Sequence, residues 1–214
     1  MYEYERPRGF SMLPVIVKNL LIINGLCFLA LLTPQVEVWA QRWLPLYYVE
    51  LPQFFPTQFV TYMFMHGSFG HILFNMFSLW MFGSVLENFW GPKKLLTYYM
   101  ICGIGAAIVH TVYTWIMINF FPEAQIAGVI VGASGAIYGL LVAYGYLFPE
   151  NRIYIYFFIP LKAKWFVILL IAFDLFGGFT NSPNDNVAHF AHLGGALAGF
   201  ITLIFWKKRR NNFY

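Results

Sequence analysis

The last apolar segment of the chain spans residues 187–210 and reads VAHFAHLGGALAGFITLIFWKKRR. Residues 187–206 contain no Asp, Glu, Lys or Arg, and a helix of about 20 apolar residues is long enough to cross a bilayer. Four basic residues follow at positions 207–210, which is typical of a cytoplasmic membrane anchor and not of a nucleic-acid patch. The segment therefore predicts a transmembrane helix whose carboxyl end lies in the cytoplasm.

The composition of the whole chain excludes a water-soluble globule. Of its 214 residues, 60% are hydrophobic, 21% are aromatic and 10% are charged, and the mean hydropathy is +0.64. Soluble domains carry about 25% charged residues, and a chain this hydrophobic is not disordered either. The net charge of +4 does not indicate a nucleic-acid partner, because the basic residues lie where membrane topology places them. With these classes excluded, the composition predicts a protein embedded in the lipid bilayer.

Six apolar runs account for nearly the whole chain and leave no room for a soluble domain of any size. They predict an all-α integral membrane protein, a bundle of six transmembrane helices that forms a single membrane domain over residues 1–214. The fourth and fifth runs are short, which suits helices packed inside a bundle. The predicted spans are residues 14–32, 69–90, 95–118, 133–148, 164–179 and 187–206.

The distribution of charge predicts the orientation in the membrane. With the amino terminus in the cytoplasm, every Lys and Arg except Arg42 falls on the inner side, as the positive-inside rule requires. This asymmetry requires an even number of spans, so both termini are predicted to be cytoplasmic. The aromatic outer loop at residues 33–68 is expected to lie partly in the membrane interface. This orientation places Arg6 and Arg8 on the inner side, and Glu37, Glu50, Glu123 and Asp185 on the outer side.

Polar side chains at membrane depth are costly, so each one is a functional candidate. His71 and Asn75 lie four residues apart on one helix face, and Ser68 is placed to cap the start of that helix. The pair either directs two hydrogen-bond donors into the bundle or only joins helices to one another. His66 and Ser68, which lie just before the helix, are candidates for holding water.

Ser134 lies in the sequence GASG at residues 132–135, where the fourth run begins. Free backbone N–H groups and the positive end of the helix dipole at such a position would stabilise a developing oxyanion. The alternative is a small residue that only allows close helix packing. The G-x-S-x-G pattern of α/β-hydrolases does not apply, because residue 136 is Ala and no strand–turn–helix context exists.

His189 and His192 lie three residues apart in the sixth run, and either one is a candidate general base for Ser134. The alternative for each is a buried core histidine. Two rows of small residues would let the fourth and sixth helices approach closely and bring Ser134 and His192 to the same level. The rows are Gly135, Gly139 and Ala143 on one helix, and Ala191, Gly195 and Gly199 on the other.

The other polar residues in the runs are predicted to have structural roles. His110 is expected to be a structural partner, and Asp174 a helix-stabilising or gate-region residue and not a catalyst. Cys27 and Cys102 both lie in apolar runs and are expected to be free thiols. No Cys/His spacing indicates a metal site, so neither a metal nor a cofactor is expected.

Taken together, these motifs resemble those of the rhomboid family of intramembrane serine proteases, over about residues 12–206. The order of the motifs, their spacing and the six-helix count are all similar. The matching motifs are MHGS at 65–68 with HILFN at 71–75 in the second helix, GASG at 132–135 in the fourth, and AHLGG at 191–195 followed by Gly199 in the sixth.

The resemblance implies a Ser–His dyad with no third carboxylate, in which Ser134 is the nucleophile and His192 is the general base and acid. His189 is the rival base, but only His192 keeps the family's spacing to Gly195 and Gly199. The other implied roles are stacking on the catalytic ring for Tyr138, and an oxyanion hole made by His71, Asn75 and the Ser134 backbone N–H.

The implied activity is hydrolysis of peptide bonds in or near the transmembrane segments of membrane-protein substrates. A gate formed by the fifth helix and an overlying loop is also implied, with Phe74 at one gate contact. The minimal six-helix form and the lack of a targeting extension predict a prokaryotic plasma (inner) membrane. Two alternatives remain: a catalytically inactive rhomboid-like protein that binds transmembrane helices, and a small transporter or channel.

Overall fold

The computed structural model describes residues 9–121, 129–155, 158–180 and 188–211, and these are mostly helical. The helices are α1 (Val15–Leu31), α2 (Pro34–Trp43), α3 (Gln58–Thr61), α4 (Phe69–Ser78), α5 (Ser84–Trp90), α6 (Pro92–Phe120), α7 (Ser134–Leu147), α8 (Ala163–Thr180) and α9 (His189–Asn211). A 3-10 turn covers Tyr62–Phe64, and a π turn at Leu79–Gly83 joins α4 to α5. The strands are β1 (Leu46–Tyr47), β2 (Val129–Ile130), β3 (Arg152–Ile155) and β4 (Ile159–Lys162).

Each predicted apolar run contains helix, in chain order α1, α4 with α5, α6, α7, α8 and α9. The boundaries differ from the predicted ones by a few residues at most ends. α6 begins earlier, at Pro92, which suits the first turn of a helix because proline has no N–H to leave unpaired. α9 continues to Asn211, beyond the predicted end of the sixth run.

Four helical segments of the described residues are long and apolar enough to cross a membrane, and the protein is an integral membrane protein. These segments are Phe69–Trp90, Pro92–Phe120, Ala163–Thr180 and His189–Lys208. α1 and α2 pass the same test only as a pair, with a bend of 117° between them, which gives a fifth segment if they form one broken span. α7 has only 14 residues, fewer than the roughly 20 of an ordinary span. The count of six therefore stays a prediction.

α7 lies at the centre of the bundle, where it packs against α6, α8, α9 and the π turn. Most of its side chains are buried, including Leu140 and Ala143. A helix that is apolar on all sides and buried on all sides needs no lipid-facing stripe. The residue that begins α7, Ser134, is consequently held inside the protein.

The two predicted rows of small residues meet between α7 and α9. A Cβ placed on Gly139 would lie 3.2 Å from the carbonyl oxygen of Gly195, and one on Gly199 would lie 3.0 Å from the Cα of Gly139. A Cβ on Gly195 would overlap the carbonyl group of Gly135. The close approach of the two backbones confirms the predicted packing and depends on the absence of side chains.

Glu87 holds the beginning of α1 against α5. Its two carboxylate oxygens accept hydrogen bonds from the backbone N–H groups of Ile16 and Val17, each at 2.9 Å. The first N–H groups of a helix have no partner within the helix, and a negative charge beside them is stabilised by the positive end of the helix dipole. A buried carboxylate in the second apolar run is thus explained by helix capping, a contact that the sequence did not indicate.

Two small antiparallel sheets make the prediction of an all-α chain wrong in part. β1 pairs with β2, which lies shortly before Ser134, and β3 pairs with β4 in the loop between α7 and α8. The first sheet and a hydrogen bond of 2.9 Å from Gly132 N–H to the carbonyl of Tyr62 join the segment between α1 and α4 to the start of α7. Both sheets are too short to give an alternating pattern of apolar residues that the sequence could reveal.

The predicted sides of four charged residues cannot be compared with the structure, because Arg6, Arg8, Glu123 and Asp185 lie outside the described residues. The first residue of the sixth predicted run, at position 187, also lies outside them. Among the described cysteines, Cys27 and Cys102 are both free, as predicted. His110 pairs with Thr114, one turn further along α6, at 3.5 Å, which fits a structural role.

Candidate active site

The structure brings Ser134 and His192 together. Ser134 is the first residue of α7, and His192 lies one turn into α9. The distance between Ser134 Oγ and His192 Nε2 is 2.8 Å, within the range of a hydrogen bond between a nucleophile and its general base. The contact spans 58 residues of sequence and depends on the glycine packing of the two helices.

Tyr138 lies one turn after Ser134 and covers one face of the His192 ring. The two ring centroids are 4.4 Å apart and the planes differ by 9°, which is a stacked arrangement. This is the position predicted for Tyr138. The stack limits rotation of the imidazole while leaving both of its nitrogens available for hydrogen bonds.

Asp174 of α8, predicted to be a helix-stabilising or gate-region residue and not a catalyst, lies next to His192. Its Oδ1 is 3.0 Å from His192 Nδ1, on the side of the ring opposite Ser134. The same oxygen is 2.6 Å from His189 Nδ1. The resemblance implied a Ser–His dyad with no third carboxylate, and the structure brings the Asp174 carboxylate into contact with His192. The sequence signal was an acidic residue inside an apolar run, which is functional by default.

His189 faces Asp174 and not Ser134. Its ring also lies against Gly177 of α8, where a Cβ would come within 2.5 Å of the imidazole. The centroids of the His189 and His192 rings are 6.5 Å apart. Of the two histidines, the structure therefore places His192 and not its rival beside Ser134.

His71 and Asn75 lie on the neighbouring helix α4 and line the same cavity as Ser134. The His71 ring packs against Gly132, whose φ of +118° and missing side chain leave room for the imidazole. Asn75 donates one of its two amide hydrogens to the carbonyl of His71 at 2.9 Å, and the second hydrogen is left for another acceptor. Both side chains thus approach the start of α7.

His66 and Ser68 lie beside this group. Ser68 accepts a hydrogen bond from the His71 N–H at 3.1 Å and caps α4, as predicted. The His66 ring meets the His71 ring edge-on at 5.0 Å, and neither of its nitrogens has a hydrogen-bond partner among the described residues. Burial is the main factor that lowers the pKa of His66, to about 4, so its ring is neutral at pH 7.

Ser134 and His192 line a cavity of about 980 Å³. It is bounded by α4, β2, α7, β3, α8 and α9, and most of its lining is apolar. Phe74, for which a gate contact was expected, lines it with 73% of its surface exposed. Its polar lining includes His71, Asn75, Ser134, Tyr138 and His192.

Asp174, His189 and His192 are also of the types that bind metal ions, and their ligand atoms lie within 4.8 Å of one another. The distances of 2.6 and 3.0 Å from Asp174 Oδ1 to the two nitrogens are hydrogen-bond lengths. Ligands of a tetrahedral Zn²⁺ at about 2.0–2.1 Å are separated by about 3.3 Å. The arrangement therefore fits a hydrogen-bonded cluster better than a preformed metal site.

Fold and site together define a polytopic membrane protein with a serine–histidine pair at a cavity inside its helix bundle. The family model for the Rhomboid domain matches residues 54–209. The chain belongs to the rhomboid family.

Curated relatives support the same assignment. RHOMBOID-like protein 12, mitochondrial, of Arabidopsis thaliana is 32% identical over 161 residues, which is 72% of this chain and 47% of that protein. Rhomboid protease GluP of Bacillus subtilis is 32% identical over 64% of this chain and 23% of its own length. Putative rhomboid protease YdcA of the same organism is 31% identical over 66% of this chain and 63% of its own length. The chain thus spans less than half of the first two and under two thirds of the third.

Proposed function

We propose that the protein is an intramembrane serine endopeptidase that cleaves transmembrane protein substrates in or near their membrane-spanning segments. The observation that carries the proposal is the 2.8 Å contact between Ser134 Oγ and His192 Nε2 at the edge of a cavity within the bundle. A serine hydroxyl becomes a nucleophile when an adjacent base accepts its proton. The names of two relatives, Rhomboid protease GluP and Putative rhomboid protease YdcA, point to the same activity.

In the first half of the proposed reaction, Ser134 Oγ attacks the scissile carbonyl carbon while its proton moves to His192 Nε2. The same proton then passes to the leaving amide nitrogen, the C–N bond breaks, and an acyl-enzyme ester remains. In the second half, His192 takes a proton from water and the hydroxide attacks the ester carbonyl carbon. The bond between that carbon and Ser134 Oγ then breaks, the carboxylic acid product leaves, and the proton returns to Ser134 Oγ. Neither step requires a metal or a cofactor.

Three donors are proposed to stabilise the negative charge on the tetrahedral intermediate. The backbone N–H of Ser134 is among the first of α7 and has no partner within the helix. The second amide hydrogen of Asn75 and a ring N–H of His71 line the same cavity. Donors of this kind contribute about 10²–10³-fold to the rate each, because they are fixed before the reaction begins.

Substrate access is assigned to the apolar part of the cavity, and water to the polar groups beside it. A transmembrane helix must unwind locally before cleavage, because its carbonyl groups are already hydrogen-bonded. The apolar lining, including Phe74 and Phe166, suits such a segment as it passes between α4 and α8. His66, neutral and without a partner among the described residues, and Ser68 are the groups proposed to hold water for the second half-reaction.

The proposed topology has six spans, both termini in the cytoplasm and one membrane domain over residues 1–214. The basic cluster at residues 207–210, near the end of α9, and the pair Lys93 and Lys94, in the first turn of α6, support it through the positive-inside rule. The proposed location is a prokaryotic plasma membrane, and the two bacterial relatives named above are from Bacillus subtilis. Labelling of single cysteines introduced at positions 2, 50 and 213 with an impermeant reagent tests it: only position 50 is expected to react from outside.

The activity is tested by the rate at which a fluorescent fluorophosphonate labels the detergent-solubilised protein. Ser134→Ala is expected to abolish labelling, and His192→Ala to slow it about 10²–10⁴-fold. Ser84→Ala and His110→Ala are matched controls, since each removes a buried hydroxyl or imidazole that does not line the cavity. Both are expected to label like the wild type per folded molecule.

Cleavage of single-span membrane proteins in proteoliposomes is the second measurement. Wild-type cleavage that is lost in Ser134→Ala supports the proposal. A folded wild type that neither labels nor cleaves points instead to an inactive protein that binds transmembrane helices. Solute flux through liposomes that survives Ser134→Ala favours a transporter.

A further inference from the structure

We propose that Asp174 is a positioning residue for His192, so that the Ser–His pair works with a third, carboxylate member supplied by α8. This inference rests on the proposed protease function and deepens it. The three groups form a continuous line of hydrogen bonds, from Asp174 Oδ1 to His192 Nδ1 at 3.0 Å and from His192 Nε2 to Ser134 Oγ at 2.8 Å.

The carboxylate determines which nitrogen of His192 carries the proton. An ionised carboxylate only accepts hydrogen bonds, so the hydrogen between Asp174 and His192 belongs to Nδ1. Nε2 is then unprotonated and presents its lone pair to the Ser134 hydroxyl, as a general base requires. The opposite tautomer would present an N–H to Ser134 and would be unable to take its proton.

The ring of His192 is constrained on three sides. Asp174 holds Nδ1, Ser134 meets Nε2, and Tyr138 covers one face at 4.4 Å. With the axis through both nitrogens fixed and rotation limited by the stack, the imidazole stays in the position from which it reaches Ser134. Such constraint supplies part of the catalytic rate as orientation already established before substrate binds.

Asp174 is itself held by a second donor. His189 Nδ1 lies 2.6 Å from the same Oδ1, and the Asp174 side chain is only 3% exposed. A buried carboxylate is costly unless it is hydrogen-bonded, and one carrying two histidine contacts is both stabilised and oriented. A carboxylate whose role was only to join α8 to α9 would need no hydrogen bond other than the one with His189. The additional bond to His192 is the one that the positioning role explains.

The position of Asp174 on α8 supports the same role. Phe166 and Leu170 line the cavity, and Asp174 follows Leu170 by one further turn on the same helix face. The face of α8 that bounds the cavity thus ends, at the level of the histidines, in a carboxylate.

During the reaction His192 gains a proton on Nε2 and keeps the one on Nδ1. The negative charge of Asp174 stabilises the resulting imidazolium without taking a proton itself.

The test compares Asp174→Asn and Asp174→Ala with the wild type in fluorophosphonate labelling and in cleavage of one membrane substrate. Glu87→Gln is the matched control, because it also converts a buried carboxylate in a spanning segment to an amide but lies outside the cavity. Per folded molecule, both Asp174 variants are expected to label and cleave at least about 100-fold more slowly. The loss is expected in kcat with KM unchanged, and Glu87→Gln is expected to match the wild type.

A purely structural role predicts a different pattern. It would lower the amount or the thermal stability of folded protein while leaving the labelling rate of the folded fraction within threefold of the wild type. That outcome overturns the inference and leaves the protease proposal intact. Failure of the folded wild type to label overturns the protease proposal, and this inference with it. Partial recovery of rate in Asp174→Glu relative to Asp174→Ala supports positioning by a carboxylate.

A measurement on the unmodified chain covers the case in which both Asp174 variants fail to fold. The ¹⁵N chemical shifts of ring-labelled histidines in lipid bilayers report which nitrogen is protonated. The His192 signals are assigned as those that disappear in His192→Asn. A neutral ring protonated at Nδ1 supports the inference, and one protonated at Nε2 overturns it.

Discussion

Gly195 of α9 lies directly against the carbonyl group of Gly135 in α7, with no space for even one additional carbon between the two helices. Ser134 and His192 each lie within one turn of this contact. The distance between the nucleophile and its base is therefore set by backbone packing and not by the length of the side chains. Close backbone approach through glycine is a common means of association between membrane helices.

We expect Gly195→Ala to separate α7 from α9, because the new methyl group overlaps backbone and no flexible side chain is there to move aside. Overpacking of this kind costs about 1–3 kcal/mol of unfolding free energy, and labelling of Ser134 should fall more than tenfold. Thermal unfolding and labelling rate measure the two effects. Gly25→Ala is the control, since a Cβ there meets nothing within 4 Å. Equal labelling of the two variants would contradict the prediction.

We expect Gly132→Ala to displace His71. The backbone of Gly132 has φ of +118°, and a Cβ there would lie 2.6 Å from His71 Nε2. Because His71 is a proposed oxyanion donor, its displacement should slow labelling about 10²–10³-fold. Gly91→Ala imposes a similar positive φ in open space, so it should lose stability without losing labelling. If both variants label equally slowly, the loss of rate is caused by backbone strain and not by displacement of His71.

We expect Glu87→Ala to destabilise the protein without altering the chemistry. The N–H groups of Ile16 and Val17 would lose their acceptor inside the bundle, where water does not replace it readily. Leaving buried donors unpaired costs about 1–3 kcal/mol each. The expected result is a lower unfolding temperature with an unchanged labelling rate per folded molecule. A change in that rate would show that the position of α1 affects the site.

We expect Glu150 to titrate at unusually low pH. Its hydrogen bonds with Lys162 and then Lys164 lower its pKa from 4.5 to about 2. The contact is therefore fully present above about pH 4.5 and is lost as the pH falls towards 2. Carboxyl ¹³C shifts measure the titration. Lys162→Ala should raise the pKa towards 4.5, whereas Lys18→Ala, on α1, should leave it unchanged.

Most of the site was predictable from residue type and spacing. His71 and Asn75 share a helix face because they lie four residues apart, and Ser134 begins a helix because an apolar run starts there. The glycine rows indicated that the fourth and sixth helices meet. The choice between His189 and His192 rested on resemblance alone, since both lie on nearly the same face of α9.

The contact between Asp174 and His192 was not predictable from residue type and spacing. An acidic residue in an apolar run signals a partner, but the sequence does not say which one. Helix rotation decides whether its carboxylate faces lipid, α7 or α9, and α8 is apolar on nearly all sides, so no amphipathic stripe indicates its orientation. The short strand pairs were missed for a related reason, because two to four residues are too few to form a pattern.

Composition and periodicity alone established a membrane-embedded helical bundle, its apolar segments and the residue types available for catalysis, because hydrophobic burial and helix geometry act locally along the chain. Tertiary packing decided which polar groups meet: Ser134 with His192, His192 with Asp174, and Asp174 with His189. These contacts join three different helices, and their distances depend on the rotation and separation of helices whose surfaces are almost uniformly apolar. Only the complete set of side-chain contacts determines that arrangement.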